Sequence, residues 1–361
     1  MELILGSFIK NADWWWSAGI GALVAFLLTW FAIPAVVRIS KHLNLFERNS
    51  SRGSHEGSIP TLGGVAIFGG IVVSGSIFLP AEIMPQYRII IASMVLLFFV
   101  GVRDDLKSVK SKRKLLFQLI VALMITILGD VRITNFQGFL GIWEMSYIVS
   151  ILFSVFVYVL IINGFNLIDG IDGLASGVAI VASITFAILF AVNREHIYSI
   201  EPIIITGSLL AFFIYNVFSR KNKIFLGDTG SLTIGFLIAV VTVYFIEIDR
   251  AEGHLHYIIS VPAMTFAILV VPLFDTLRIF VIRAIRGQSP FAADRKHIHH
   301  RLLDLGCSHL KSTVIILSAN LLIIGVALLL RDLKGYQIVL ITLLISAGLS
   351  YIPVYLVERG K

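Results

Sequence analysis

Residues 163–174 read NGFNLIDGIDGL and lie between two long apolar runs, 147–162 and 174–192. The stretch carries two amides and two carboxylates that recur at every third residue: Asn163, Asn166, Asp169 and Asp172. Each such step turns the chain about 60° around a helix axis, so the four side chains cannot share one helix face. The interspersed glycines make an unbroken helix less favourable still. The stretch therefore predicts a helix end, a short turn and a helix start, with polar groups converging on something outside the chain.

The composition is that of a multi-spanning membrane protein. Of the 361 residues, 57% are hydrophobic and 14% are charged, and the mean hydropathy is +0.92; no water-soluble protein needs this much apolar surface. Cys307 is the only cysteine, which excludes an internal disulfide. The first apolar run has no basic segment before it and no small-residue cleavage site, so we expect a retained helix. The net charge of +7 is explained by loop charge beside anionic lipid, and no nucleic-acid partner is expected.

Apolar runs predict an all-α, multi-spanning fold with about eleven transmembrane helices in one integral-membrane domain over residues 1–361. The predicted spans lie near residues 17–38, 61–79, 89–102, 115–129, 147–163, 173–192, 202–218, 230–247, 257–282, 313–330 and 336–357. The second span is rich in small residues, which favour close helix contact in membranes: Gly63, Gly64, Gly69, Gly70 and Gly75.

Lysines and arginines concentrate on alternate connecting segments. The positive-inside rule then places the N-terminus outside and the C-terminus in the cytoplasm, with the acidic stretch at 163–172 on the cytoplasmic face. The other polar clusters fall on the same face. A transporter more often places such groups near the midplane, on broken helices in paired halves, and no convincing internal repeat is present. The one-sided arrangement favours an enzyme that takes a soluble substrate from the cytoplasm and a lipid substrate from the bilayer.

Two aspartate motifs flank the predicted cytoplasmic loops. Asp104 and Asp105 close the third span, where neutralisation by Arg103 and Lys107 is the simplest explanation. Two adjacent acids also suit a coupled pair, with one member acting as a base, or a site for a divalent ion. Asp228 lies in the segment FLGDTGS, residues 225–231, and is either a helix cap or part of a phosphate–Mg²⁺ site.

Histidines cluster in the connection between the ninth and tenth spans, SPFAADRKHIHHR at 289–301. No cysteine or helical i, i+4 histidine pair accompanies them, so phosphate binding fits better than zinc, and surface histidines without a role are the alternative. Asp275 lies within a span and either pairs with Arg278 or has a functional role.

Together these motifs resemble the polyprenyl-phosphate N-acetylhexosamine-1-phosphate transferase family. The resemblance runs from PTLGG at 60–64 to His300, and SPF…DRKHIHH is similar to the WecA/TagO-type branch, which is related to the peptidoglycan translocase. Many members read Asp-Asp-x-x-Asp, whereas Ser108 stands at the third position here. The stretch before the second helix also differs, with Arg52 and His55 as its polar groups.

The resemblance implies a bacterial inner-membrane enzyme that moves a sugar 1-phosphate, most often GlcNAc-1-phosphate, from a UDP-sugar to undecaprenyl phosphate and releases UMP. It implies Mg²⁺, or Mn²⁺ in its place, with Asp228 as the metal ligand and a homodimer as one oligomeric state. The implied catalytic residues are Asp104, Asp105, Asp169 and Asp172. The implied substrate-binding residues are Asn163, Asn166, Asn216, Phe225, Lys114, Arg295, His297, His299 and His300.

Two mechanisms and two other functions remain open from the sequence. Direct attack by the lipid phosphate is preferred over a phospho-aspartate on Asp105 or a neighbour. A nucleotide-sugar transporter and a non-catalytic scaffold of a polysaccharide assembly complex are the alternative functions.

Overall fold

The computed structural model describes residues 14–43, 45, 59–247, 260–285, 287 and 297–359. Its first half contains five helices and one β-hairpin. The helices are α1 (Trp14–His42), α2 (Gly63–Phe78), α3 (Met84–Leu106), α4 (Ser111–Leu123) and α5 (Tyr147–Ile168). A 3₁₀ turn (Ala81–Ile83) precedes α3, and a π-helical turn (Met124–Leu128) extends α4. The antiparallel hairpin consists of β1 (Asn135–Phe139) and β2 (Ile142–Glu144), with Asn135 opposite Glu144 and Phe139 opposite Ile142.

In the second half, the described residues form helices joined by loops. Its helices are α6 (Leu174–Val192), α7 (His196–Val217), α8 (Gly227–Ile246), α9 (Val261–Ile268), α10 (Val270–Ile285), α11 (Ile298–Asp304), α12 (His309–Leu329) and α13 (Gly335–Arg359).

The described residues contain seven helices long and apolar enough to cross a membrane, or up to nine if each of two bent helix pairs counts as one span. The predicted multi-spanning helical class is confirmed at this level, and each of the eleven predicted segments overlaps a helix. The hairpin between α4 and α5 and the short helix α11 were not predicted. The predicted ninth span is two helices, α9 and α10, that meet at a 77° bend.

Helix α8 forms the centre of the bundle. Of its 20 residues, 17 are buried, because α2, α3, α5, α6 and α7 surround it. Glycines on two of these helices allow the close approach: a Cβ at Gly64 or Gly101 would overlap the backbone of Gly230 or Thr229 in the first turn of α8. The predicted close contact of α2 is thus confirmed at Gly64, whereas a Cβ at Gly69 would meet no atom within 4 Å.

The bend between α9 and α10 follows from a proline. Pro272 has no N–H, so it cannot donate to the carbonyl of Ile268 as a residue in a continuous helix would. The Asn320 side chain on α12 donates to this carbonyl instead, at 3.2 Å. A polar group within the apolar bundle is therefore satisfied, and α10 turns away from the axis of α9.

Candidate active site

The first turn of α8 is held by Asp105, the penultimate residue of α3. One carboxylate oxygen accepts from the Asp228 N–H at 2.7 Å, and the other accepts from the Thr229 N–H at 3.1 Å and its hydroxyl at 2.6 Å. Asp105 thus satisfies N–H groups that have no partner within α8. The sequence left capping of α8 open as one role for Asp228, but Asp105 caps this helix instead. The Asp228 side chain instead contacts Lys114 and Asn166.

Lys114 lies between two carboxylates from different helices. Its Nζ is 2.7 Å from Asp228 Oδ1 and also contacts Asp104 Oδ2. The other oxygen of Asp104 accepts from the Val109 N–H at 2.6 Å, which fixes the turn between α3 and α4. Burial opposes the charge of Lys114, but the charge of Asp228 and the hydrogen bond with Asp104 outweigh it and raise the pKa of Lys114. The site therefore contains a fixed cation at neutral pH.

The last two turns of α5 carry two amides, of which Asn166 joins this cluster. Asn166 donates to Asp228 Oδ1 at 2.6 Å and to the Ser231 hydroxyl at 2.9 Å. Asn163 lies one turn earlier and donates to Gln118 on α4 at 2.7 Å. The predicted arrangement of helix end, turn and helix start is confirmed, because α5 ends at Ile168 and α6 begins at Leu174.

Asp172 lies in the turn between α5 and α6 and forms a second ionic cluster. Its Oδ2 is 2.7 Å from Lys223 Nζ and 3.2 Å from His309 Nδ1. Burial opposes ionisation, but the hydrogen bonds from His309 and Lys223 dominate and lower the pKa of Asp172. Asp172 does not cap α6, because Gly173, with φ of +77°, is the N-cap residue and no side chain caps this helix start.

Asn216 connects two loops of the site. Its side-chain oxygen accepts from the Gly173 N–H at 2.7 Å, and its NH₂ donates to the Ile224 carbonyl at 2.9 Å. The residue is 4% exposed. Its amide therefore holds the 169–173 turn against the loop before α8.

The three histidines occupy different environments. His297 and His299 are buried and His300 is half-buried. Burial and the neighbouring His300 lower the pKa of His299 to about 3, so its ring is neutral at physiological pH. The ring lies against the turn after α5, where a Cβ at Gly170 would overlap Nε2 of His299. His299 is therefore a neutral ring packed against this turn, and its buried Nε2 has no hydrogen-bond partner within the described residues.

Of the predicted site residues, most come together at one end of the bundle, where α3, α5 and α7 end and α4, α8 and α12 begin. Phe225 is half-buried beside this end and uses its backbone to pair with Pro60 and Gly63, at 2.8 and 3.0 Å. Asp169 lies at the end of α5 and also has an interaction partner. The predicted residue Arg295, and the polar residues Arg52 and His55, lie outside the described residues.

Several side chains that contact the predicted site residues were not themselves predicted from the sequence. Lys223, His309 and Thr229 hold predicted aspartates, and Gln118 holds Asn163. Lys223 could have been identified from its position in the basic segment 220–223, just before Phe225. No local pattern identifies His309 or Thr229, because their contacts join segments that are distant in the sequence.

The relatives found by comparison with known proteins carry similar names. Residues 87–246 match the profile described as glycosyl transferase family 4. An Escherichia coli (strain K12) protein named undecaprenyl-phosphate alpha-N-acetylglucosaminyl 1-phosphate transferase is 29% identical over 84% of this chain and 81% of its own length. A Yersinia pestis protein of the same name is 30% identical over 80% and 78% of the two chains.

A third relative comes from Bacillus subtilis (strain 168) and is named a probable undecaprenyl-phosphate N-acetylglucosaminyl 1-phosphate transferase. It is 32% identical over 82% of this chain and 80% of its own length. The family profile ends at the last residue of α8 and so includes Asp104, Lys114, Asn166 and Asp228, but not His309 or the histidines at 297–300. This protein is therefore a member of glycosyl transferase family 4, among the undecaprenyl-phosphate N-acetylglucosaminyl 1-phosphate transferases.

Proposed function

We propose that this chain transfers N-acetylglucosamine 1-phosphate from UDP-GlcNAc to undecaprenyl phosphate and releases UMP. The observation that carries the proposal is the convergence of Asp104, Lys114, Asn166 and Asp228 at one end of an apolar helix bundle. Charged groups are costly beside a membrane unless they are paired or serve a ligand. The names of the relatives describe this transfer, and the alignments cover 78–81% of their lengths.

The reaction requires positive charge at the site. A phosphate anion must approach a phosphorus atom that is already surrounded by negatively charged oxygens, and fixed cations reduce this repulsion in the transition state. Lys114 and Lys223 are held in place by Asp228 and Asp172 respectively, each at 2.7 Å. Two preoriented ammonium groups therefore support phosphate chemistry at this end of the bundle.

Direct attack by the lipid phosphate is the mechanism we propose. Both oxygens of Asp105 accept hydrogen bonds from the first turn of α8, so a nucleophilic role would leave those N–H groups without their acceptor. A phosphate monoester is mostly ionised at pH 7 and needs no strong base. Asp104, which faces Lys114, is proposed to orient the incoming phosphate.

Mg²⁺, with Mn²⁺ as an alternative, is the proposed cofactor. Mg²⁺ typically binds one or two protein carboxylates together with substrate phosphates, and Asp228 and Asp104 provide such a pair around one amine. Among the described residues, no group of three or more His, Cys, Asp or Glu side chains offers a complete protein cage. When bound, the ion would screen the diphosphate and stabilise the leaving UMP.

The remaining predicted contacts stay proposals for the nucleotide and sugar. Asn163 and Asp169 would lie near the diphosphate and Phe225 would stack on uracil, while Arg295 and His300 would contact phosphate or sugar. Asn216 is proposed to act indirectly, by positioning the turn that carries Asp172.

The proposed setting is the bacterial inner membrane, with eleven spans, an outer N-terminus and a cytoplasmic C-terminus. This topology follows from the distribution of Lys and Arg. It places the site where cytoplasmic UDP-sugar and membrane-embedded lipid meet.

The test is an assay of purified protein with undecaprenyl phosphate, Mg²⁺ and a panel of UDP-sugars. We expect UMP release with UDP-GlcNAc that depends on both lipid and cation, and a strong loss with Asp228→Ala. Uptake of UDP-sugar into proteoliposomes without UMP release would instead identify a transporter. Unchanged activity and cation dependence of Asp228→Ala would overturn the metal assignment.

A further inference from the structure

Asp275 is a buried carboxylate that the proposed reaction does not use directly. It lies on α10, just after the bend at Leu269, and is 2% exposed. Because α10 diverges from α9 by 77°, it carries this side chain to the start of the histidine helix α11.

Three donors converge on the Asp275 carboxylate. Its Oδ1 accepts from Arg278 at 2.9 Å and from the Ile298 N–H at 3.3 Å. Its Oδ2 is 2.7 Å from His297 Nδ1. The sequence suggested only the pair with Arg278, and the contact with His297 spans 22 residues.

The pattern of donors decides which nitrogen of His297 carries a proton. Arg278 and the Ile298 N–H can only donate, so Asp275 is a pure acceptor on that side. A carboxylate beside a guanidinium is ionised, so the second oxygen of Asp275 is also a hydrogen-bond acceptor. Nδ1 of His297 therefore carries the proton and donates to this oxygen. In the neutral ring this leaves a lone pair on Nε2.

His297 lies next to the proposed substrate site. Its ring is stacked on His299 with centroids 5.7 Å apart, and His299 packs against Gly170 in the turn that carries Asp169 and Asp172. His297 is therefore connected to the carboxylate turn through one imidazole ring.

We propose that Asp275 is a positioning residue that fixes His297 in the Nδ1–H form, so that Nε2 accepts a hydrogen bond from a hydroxyl or acetamido N–H of the donor sugar. The substrate part rests on the proposed transferase function, whereas the protonation state of the ring does not. Partners of this kind commonly orient functional imidazoles and change activity by about 10–100-fold when they are replaced.

Asp275→Asn tests the proposal because it keeps the size of the side chain. The Asn oxygen is expected to remain on Arg278 and Ile298, which places its NH₂ against His297 Nδ1. Nδ1 then becomes an acceptor and the proton moves to Nε2, which can no longer accept the proposed hydrogen bond from the sugar.

The first measurement is ¹⁵N NMR of histidine-labelled protein in nanodiscs, with His297→Gln used to assign the signal. We expect Nδ1 of His297 to carry the proton in the native protein and Nε2 to carry it in Asp275→Asn. A native ring protonated only at Nε2 would overturn the proposal. This result is independent of turnover, so it remains interpretable if no UDP-sugar proves to be a substrate.

The second measurement is a double-mutant cycle on UMP release. Asp275→Asn should lower kcat/KM by about 10–100-fold in the native background, and by less than about twofold in the His297→Gln background, because it acts through His297. Equal losses in both backgrounds would show a general structural role and overturn the proposal. The matched control is Asp304→Asn on α11, whose exposed carboxylate pairs with Arg301 at 3.3 Å and which should leave both measurements unchanged.

Discussion

Lys114 is the residue on which the electrostatics of the site depend. It joins Asp104 at the end of α3 to Asp228 at the start of α8, and both contacts are largely shielded from solvent. An ammonium group in this position serves two purposes. It reduces the repulsion between the two carboxylates, and in the proposed reaction it would provide a positive charge for an approaching phosphate.

We therefore expect Lys114→Met to reduce kcat/KM for UMP release by about 100-fold or more, the usual cost of removing one charged group that acts in the transition state. Lys112→Met, a change of the same kind at an exposed position on α4, is the control and should stay near the native rate. Activity of Lys114→Met within about threefold of the native protein would exclude this role.

Asp105 is expected to behave as a structural residue. In Asp105→Asn one acceptor for the α8 N–H groups is lost, which should lower the free energy of unfolding by about 1–3 kcal/mol. Thermal unfolding in detergent measures this loss, with Asp130→Asn at an exposed position as the control. Residual transfer activity above about 1% would agree with direct attack, whereas complete loss at native stability would favour a covalent intermediate on Asp105.

At the scale of elements, the site depends on how closely α2 and α3 approach α8. Gly64 and Gly101 face the backbone of the α8 first turn, which also carries Asp228. The packing of α2 and α3 therefore fixes the backbone of α8 within two residues of Asp228.

Gly64→Ala should destabilise the protein by about 1–3 kcal/mol, because its methyl group overlaps the Gly230 backbone and the helices must separate. Gly69→Ala on the same helix is the control: its Cβ meets no atom within 4 Å, so a neutral or slightly stabilising effect is expected. Thermal unfolding of both variants provides the comparison, and equal stability of the two would contradict the packing argument.

The Asp172 cluster joins the 169–173 turn to α12 and to the loop before α8. The folded-state pKa of Asp172 is lowered, so its contribution to stability is present above its unfolded pKa and is lost as the pH falls through the folded value. Thermal unfolding should show native protein more stable than Asp172→Asn at neutral pH and the difference should disappear in acid. A difference that grows as the pH falls would contradict this sign.

At the scale of the whole molecule, the site groups gather at one end of the bundle and the β-hairpin lies between α4 and α5 at the other. Single cysteines in a Cys307→Ser background test which end faces the cytoplasm. In right-side-out vesicles, an impermeant maleimide should label Leu140→Cys on the exposed hairpin at once, and Lys221→Cys only after permeabilisation. The reverse pattern would invert the proposed topology.

Local patterns predicted much of this arrangement. Apolar length located the helices, and the spacing of Asn163, Asn166 and Asp172 with its glycines located the turn after α5. The contact of Lys114 with Asp228 joins residues 114 positions apart and depends on how α4 packs beside α8, which no local pattern contains. For the same reason, capping by Asp105 and the engagement of Asn216 between two loops appeared only in the folded chain.

The burial of α8 has a consequence for how the protein responds to the thickness of the bilayer. Hydrophobic mismatch acts on helices that face lipid, and these tilt or shift when bilayer thickness changes. Helix α8 is enclosed by protein along almost its whole length, whereas α1 and α13 expose many large apolar side chains. Thinner or thicker bilayers should therefore tilt the peripheral helices and leave the height of Asp228 within the bundle unchanged.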